Sequence, residues 1–273
     1  IQYMAQIGNE DYLIGNRPAK AASKNKPATR EDILNLQKVL AETPQTAGSI
    51  VDTGCDTLSR VHETRVEIEP LAGGSDIAYI EKDHRITDVV ISSDKDAIDC
   101  LYHIKRIVSR LEQIPHVNAV RLVSKKFITS PGHFTRAVIN ALGDLNSLRV
   151  VNPLRLEIET WLMTKDQLDT THVKLARRLN NKGITVYCNV PLLGGVNDSN
   201  TAIHDLAYAV RKTGIEFHHL YVAGLPVQKE WNTGHPIDSY DVIDIATMVR
   251  REGSGREIPR YIIATELGEA DYG

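Results

Sequence analysis

Residues 183–199, GITVYCNVPLLGGVNDS, restrict the fold of this chain more than any other stretch. From Ile184 to Leu193 the run is almost wholly apolar, with Thr185, Val186 and Tyr187 near its start. A run without polar alternation, rich in β-formers, reads as a strand covered on both faces, as in a parallel sheet. Gly194 and Gly195 end it, and Asn197, Asp198 and Ser199 offer capping oxygens to a helix predicted over 201–213. Strand, glycine turn and capped helix make one βα unit. Its helix N-terminus directs backbone N–H groups at whatever lies above the strand's C-terminal end.

The unit repeats. Helical patterns over 76–82, 99–114, 133–145, 170–182, 201–213 and 239–252 alternate with strand patterns over 87–92, 119–123, 155–160, 184–193, 217–223 and 260–265. That alternation calls for a parallel sheet. Six strands fit an open doubly wound sheet or a partial barrel. Crossovers of similar length, with no glycine-rich dinucleotide fingerprint after the first strand, favour an α/β fold of the partial (β/α)6, TIM-like type. Upstream, residues 29–42 predict a helix capped by Thr29, with Ile33, Leu36 and Leu40 on one face. Residues 1–30 read as an extended arm carrying Arg17, Lys20, Lys24, Lys26 and Arg30. The expected organisation is an N-terminal helical and extended extension over 1–50 and a barrel over 51–273.

Charge and cysteine usage narrow the partners. A net charge of −3 gives no electrostatic case for nucleic acid or membrane surfaces, and the basic arm lacks the aromatic interleaving of a nucleic-acid binder. No apolar run approaches the roughly 20 residues of a membrane helix, and the start, IQYMAQIGNEDY, lacks the basic region and apolar core of a signal peptide. Cys55, Cys100 and Cys188 are odd in number and far apart, which fits reduced thiols in the cytoplasm or another reducing compartment. No CxxC pair offers a structural zinc site.

In either architecture ligands sit at the C-terminal strand ends. That places Ser92 to Lys95, Lys125, Lys126, Trp161, Asn189 to Gly195, Tyr221 to Leu225 and Thr265 to Asp271 at the candidate face. His218 and His219, adjacent in a strand, are expected on opposite faces. Glu266, Glu269 and Asp271 form an acidic cluster, and Trp231 and His235 lie in the loop before the last helix, suited to covering a pocket or meeting a partner.

Five segments in order, ITDVVISSDKDAI (86–98), RLEQIPHVNAVRL (110–122), residues 183–199, HHLYVAGL (218–225) and REIPRYIIATELG (256–268), resemble the lysine 2,3-aminomutase family of radical S-adenosylmethionine enzymes. The resemblance implies a partial barrel, a [4Fe-4S] cluster on a CxxxCxxC loop after the first strand, reductive cleavage of S-adenosylmethionine to a 5′-deoxyadenosyl radical, and pyridoxal phosphate on a lysine. Three thiolates each hold one iron, leaving the fourth for the methionine moiety. Upstream of Ile86 the only cysteine is Cys55; with Cys55 as first metal ligand the other two positions are Ser59 and His62, and with Cys55 as third they are Gly48 and Asp52, so neither register gives three thiolates. The family's glycine pair corresponds to Ser92, Ser93 and Asp94. The lysine's place is Asp271, which has no amine for a Schiff base, so pyridoxal phosphate is not expected. Two acidic substrate positions become Gly224 and Ala264. The cofactor-binding candidates left are Ser92, Ser93, Asp94, Asn189, Gly194, Gly195, Asn197, Asp198 and Tyr221, although GGVND reads equally as a turn and helix cap. The function expected is that of a degenerate radical-SAM-fold protein acting as a binding or structural subunit, with a protein partner and without cluster or pyridoxal phosphate chemistry. The alternative is an active radical S-adenosylmethionine enzyme that abstracts hydrogen with atypical cluster ligation.

Overall fold

The computed structural model describes residues 23–146 and 153–272. Among them nine strands form one sheet whose spatial order is the sequence order: β1 (Leu58–His62), β2 (Arg65–Ile68), β3 (Asp88–Ile91), β4 (Ala119–Val123), β5 (Arg155–Trp161), β6 (Thr185–Pro191), β7 (Glu216–Ala223), β8 (Arg260–Thr265) and β9 (Gly268–Asp271). Strands β2 to β8 run parallel, and β1 and β9 join the two edges antiparallel. The edges curl together until β9 lies against β1. A Cβ on Gly268 would sit 2.7 Å from the Val61 carbonyl oxygen, and its φ of +97° suits glycine alone. The sheet is thus a nearly closed barrel with seven parallel strands rather than six. The additional one, RVEI, is short and alternates charge with apolar residues, which hides it from a search for buried apolar runs.

Of the helices α1 (Arg30–Glu42), α2 (Gly74–Lys82), α3 (Leu101–Leu111), α4 (Lys126–Thr129), α5 (Arg136–Leu145), α6 (Thr170–Asn180), α7 (Asn200–Thr213), α8 (Pro226–Trp231) and α9 (Ser239–Glu252), all but α4 and α8 follow the predicted pattern with shifted ends; α8, started by Pro226, takes Trp231 out of the expected loop. Thr29, Ser199 and Asp238 cap α1, α7 and α9, each accepting a backbone N–H three residues on. The large core lies between the outer ring and the sheet. Ile80, Ile104, Leu142, Leu179 and Leu206 from the helices pack with Val89, Leu122, Ile158, Val186 and Val190 from the strands. Among the described residues no helix is long and apolar enough to cross a membrane.

Helix α1 is not part of that ring. It lies across the C-terminal mouth of the barrel, where Leu36 and Leu40, 5% and 4% exposed, join a second apolar cluster with Val123, Trp161, Tyr221, Val227 and Ile262. Burying each leucine stabilises the docked helix by about 1.5–3 kcal/mol. Its flanks are tied down as well: Ala28 N donates to Gly195 O at 2.9 Å, and Gly48 N to Thr265 O at 2.7 Å. Arg17 and Lys20 of the predicted arm lie outside the described residues.

Candidate functional site

In a parallel strand the residues that do not face the helices face the barrel interior. In β2, β4 and β5 these are charged. Register pairs Glu67 with Val90, Val90 with Arg121, and Arg121 with Glu157, giving one interior row across four strands. Arg121 donates from Nε and Nη2 to Glu157 Oε2 at 3.2 and 3.0 Å, and from Nη1 to Glu159 Oε2 at 3.5 Å. Its guanidinium also lies 4.9 Å from the Tyr187 ring centroid. A second group joins β2 to β9. Arg65 pairs with Glu269 Oε2, and Tyr221 Oη donates to Glu269 Oε1 at 2.6 Å. Trp161 stacks on Tyr221 with centroids 5.2 Å apart.

His218 and His219 do not lie on opposite faces. Between β6 and β7 the register slips: Cys188 pairs with Phe217, whereas Asn189 pairs with His219, so His218 is the extra residue of a β-bulge. Both imidazoles therefore point inward and stack at 3.8 Å between centroids. Burial, followed by the charges of Arg121 and Arg65, lowers the His218 pKa; burial and the adjacent His218 lower that of His219. Both rings are neutral at physiological pH.

Beside residues 44–47, which follow α1, these side chains surround a small chamber of about 30 Å³ lined by Arg65, Glu67, Lys125, Glu159, His219, Tyr221 and Glu269. Pro44, Thr46, Glu67 and Ser92 also line an open outer cleft of about 460 Å³, which runs between the ends of β1, β2 and β3. Desolvation raises the Glu67 carboxyl to about 7 despite a hydrogen bond to Ser92, and burial raises Glu159 against the pull of Arg121. Desolvation lowers Lys125, whose Nζ donates to Thr43 O at 3.1 Å.

The residues singled out from sequence meet different fates. Ser92, Ser93 and Asp94 line the outer cleft, and Tyr221 lines the chamber. Asn189 stands in register between Trp161 and His219, its Oδ1 buried without a partner. The GGVND stretch is occupied by the chain itself. Asn197 donates to Met163 O and Pro191 O and accepts from Leu193 N. Asp198 accepts from Ser23 and Asn25. Trp231 Nε1 donates to Gly194 O at 2.9 Å, and a Cβ on Gly194 would meet His235 O at 2.2 Å. These residues close a loop rather than face open space. Trp231 and His235 stack 4.1 Å apart against that loop. The acidic cluster is split as well, because Glu269 enters the chamber while Asp271 pairs outside with Arg260.

Cys55, Ser59 and His62 are not brought together. Ser59 lines the outer cleft, whereas His62 lines a separate cavity at the other end of the barrel with Asp88 and His218. The cause is that β1 is an antiparallel edge strand, so this stretch runs along the sheet instead of looping over its mouth.

The interior charges Arg65, Glu67, Arg121, Glu157 and Glu159 were missed by sequence reasoning. A signal existed for Glu157 and Glu159 alone, because RLEIETW alternates charge with apolar residues inside a predicted strand; RVEI is too short to announce itself and Arg121 is a lone charge in AVRLV.

Comparison with known proteins adds ancestry to this geometry. Over 194 residues the chain is 25% identical to glutamate 2,3-aminomutase of Clostridioides difficile, covering 70% of this chain and 43% of the relative. It is 25% identical over 206 residues to a putative L-lysine 2,3-aminomutase of Aquifex aeolicus (71% and 51%) and 22% identical over 187 residues to L-lysine 2,3-aminomutase of Clostridium subterminale (68% and 42%). At 22–25% identity over about 70% of its length, the chain is similar to members of the lysine 2,3-aminomutase family. It spans about half the length of the curated relatives it matches. No protein-family model matches its sequence. Among solved structures, type I 3-dehydroquinate dehydratase from Clostridium difficile superposes with a TM-score of 0.50 over 80% of this chain and 81% of that one. At 8% identity that likeness shows the barrel fold alone.

The cofactors that the resemblance implies do not fit the arrangement of the described residues. The turn after the first parallel strand, residues 69–73, contains no cysteine and is shorter than a CxxxCxxC run. The chain's thiols are dispersed. Cys55 lies near Ser75 and Asp76 at the start of α2, Cys100 precedes α3, and Cys188 is buried on the helix-facing side of β6. Among the described residues no three His, Cys, Asp or Glu side chains are grouped to hold a metal. Asp271, at the place of the pyridoxal lysine, is a carboxylate engaged with Arg260.

Proposed function

We propose that this chain is a member of the aminomutase-like radical S-adenosylmethionine lineage that acts by binding, without cluster or pyridoxal phosphate chemistry. One observation carries the reading. The mouth where such a barrel keeps its reactants is covered by α1, whose Leu36 and Leu40 are buried in one apolar cluster with Trp161 and Tyr221. The dispersed thiols support it, since a low-potential cluster needs three thiolates converging on one site. What the barrel retains is the outer cleft and the polar chamber behind it, joined through Glu67 and Ser92.

Anaerobic incubation with iron and sulfide tests this directly. The expected outcome is a folded, colourless protein without stoichiometric iron. A visible iron–sulfur charge-transfer band, together with 5′-deoxyadenosine formed on reduction with S-adenosylmethionine, would overturn the proposal in favour of an active radical enzyme.

A further inference from the structure

The net charge of −3 conceals an uneven distribution. Helices α3, α5 and α6 are neighbours in the outer ring. Their apolar residues, among them Ile104, Leu111, Leu142 and Leu179, are buried in the large core. What α3 and α6 turn outward is basic: Lys105, Arg106 and Arg110 from the first, Lys174, Arg177 and Arg178 from the second, all exposed. Neither helix contains an acidic residue. Among the described residues none of these six side chains has an ion-pair or hydrogen-bond partner. Elsewhere exposed cations find carboxylates, as Lys24 does on Asp238, Arg85 on Asp83 and Lys165 on Asp205. Arg106 and Arg110, and likewise Lys174 and Arg178, stand four residues apart on one helix face, a spacing at which like charges repel. The fold leaves that repulsion uncompensated.

Between the two basic helices α5 presents small side chains. Ala137, Asn140 and Ala141 are exposed, and a Cβ on Gly143 would meet the Lys182 stem at 2.7 Å. The face is a furrow with long cations on both walls, which two helix spacings set roughly 16–20 Å apart. Its acids are few: Asp144 on α5, Glu112 at the end of α3, and Asp169, which caps α6. A protein interface needs clustered apolar anchors, and here the exposed large apolar side chains are Tyr102 on α3 and Val173 on α6, on separate walls. A planar bilayer would meet the walls and leave the furrow unfilled. We propose that this face binds the phosphate backbone of a nucleic-acid duplex, one strand along α3 and the other along α6, without reading its sequence. The face lies on the outer ring, and its role is separate from whatever the cleft at the barrel mouth binds.

The test is fluorescence anisotropy of a labelled, mixed-sequence DNA duplex of about 20 base pairs, titrated with the protein between about 50 and 200 mM salt. Binding is expected with a Kd of about 1–100 µM at the low-salt end, and log affinity should fall against log salt with a slope of about −4 to −5 as phosphate counterions are released. Arg106→Glu with Arg110→Glu, and separately Lys174→Glu with Arg178→Glu, should each weaken binding about tenfold or more and flatten the slope by about 2. Lys38→Glu with Lys229→Glu changes the net charge by the same amount on α1 and α8, away from this face, and should leave the affinity within about twofold. The reversed side chains are exposed, so all three variants should melt within a few degrees of wild type. No binding at the low-salt end, equal weakening by the Lys38 and Lys229 pair, or wild-type binding by either double variant of the face would each overturn the proposal. So would adsorption to phosphatidylserine-rich vesicles or to polyglutamate at a salt concentration where the duplex stays free.

Discussion

Replacing Arg121 with methionine removes the central cation of the barrel while keeping most of its apolar stem. The arginine side chain is 10% exposed and that of Glu157 is 5% exposed, so neither charge has bulk water to fall back on. In the variant the Glu157 carboxylate loses both guanidinium bonds, at 3.0 and 3.2 Å, and Glu159 and His218 lose the shared Nη1. Stranding one member of a buried pair costs about 3–5 kcal/mol. For a domain of this size each kcal/mol lowers the melting temperature by about 2–4 °C, so Arg121→Met should melt roughly 6–20 °C lower by calorimetry. Adding Glu157→Gln removes the stranded charge and should restore more than half of the loss. A single variant within about 1 kcal/mol of wild type, or a further loss on adding Glu157→Gln, would show that the pair is not a closed electrostatic unit.

Three further outcomes follow from the same geometry. Leu36→Ala with Leu40→Ala should raise hydrogen exchange across α1 and at Trp161 Nε1 while leaving β4 to β6 protected; each truncation costs about 2–3 kcal/mol until the helix undocks, after which the loss levels off. Asp198→Ala removes the acceptor of Ser23 and Asn25 and should expose residues 23–28 to protease at unchanged melting temperature within a few degrees. Because the folded Glu67 carboxyl titrates near 7 and the unfolded one near 4.5, the native state binds the extra proton between those values. That contribution to stability is complete below about 4.5 and is lost as pH rises through 7, by at most about 3 kcal/mol, and Glu67→Gln should abolish it in urea melts.

Much of the barrel was legible in the chain. Thr29 and Ser199 cap the helices their positions announced, and the run from Ile184 contains β6, buried from Cys188 onward. Strand β2 was not legible, because four residues with two charges carry neither an apolar run nor a turn signal. The inward turn of both His218 and His219 was hidden for a different reason: a bulge breaks the two-residue period on which any facing argument depends. Docking of α1 on the mouth could not be read from its own pattern. Ile33, Leu36 and Leu40 announce an apolar stripe but not which surface receives it. The GGVND stretch illustrates a further limit, since glycines that admit a ligand and glycines that admit a neighbouring backbone are the same letters. Here it is His235 and Lys26 that come close.

The position of α1 has a consequence for any attempt to build a metal centre into this barrel. Cysteines grafted into residues 69–73 would supply sulfur beside a mouth whose apolar cluster already takes in Leu36 and Leu40 together with Trp161 and Tyr221. An engineer would have to free the helix first and add the metal second.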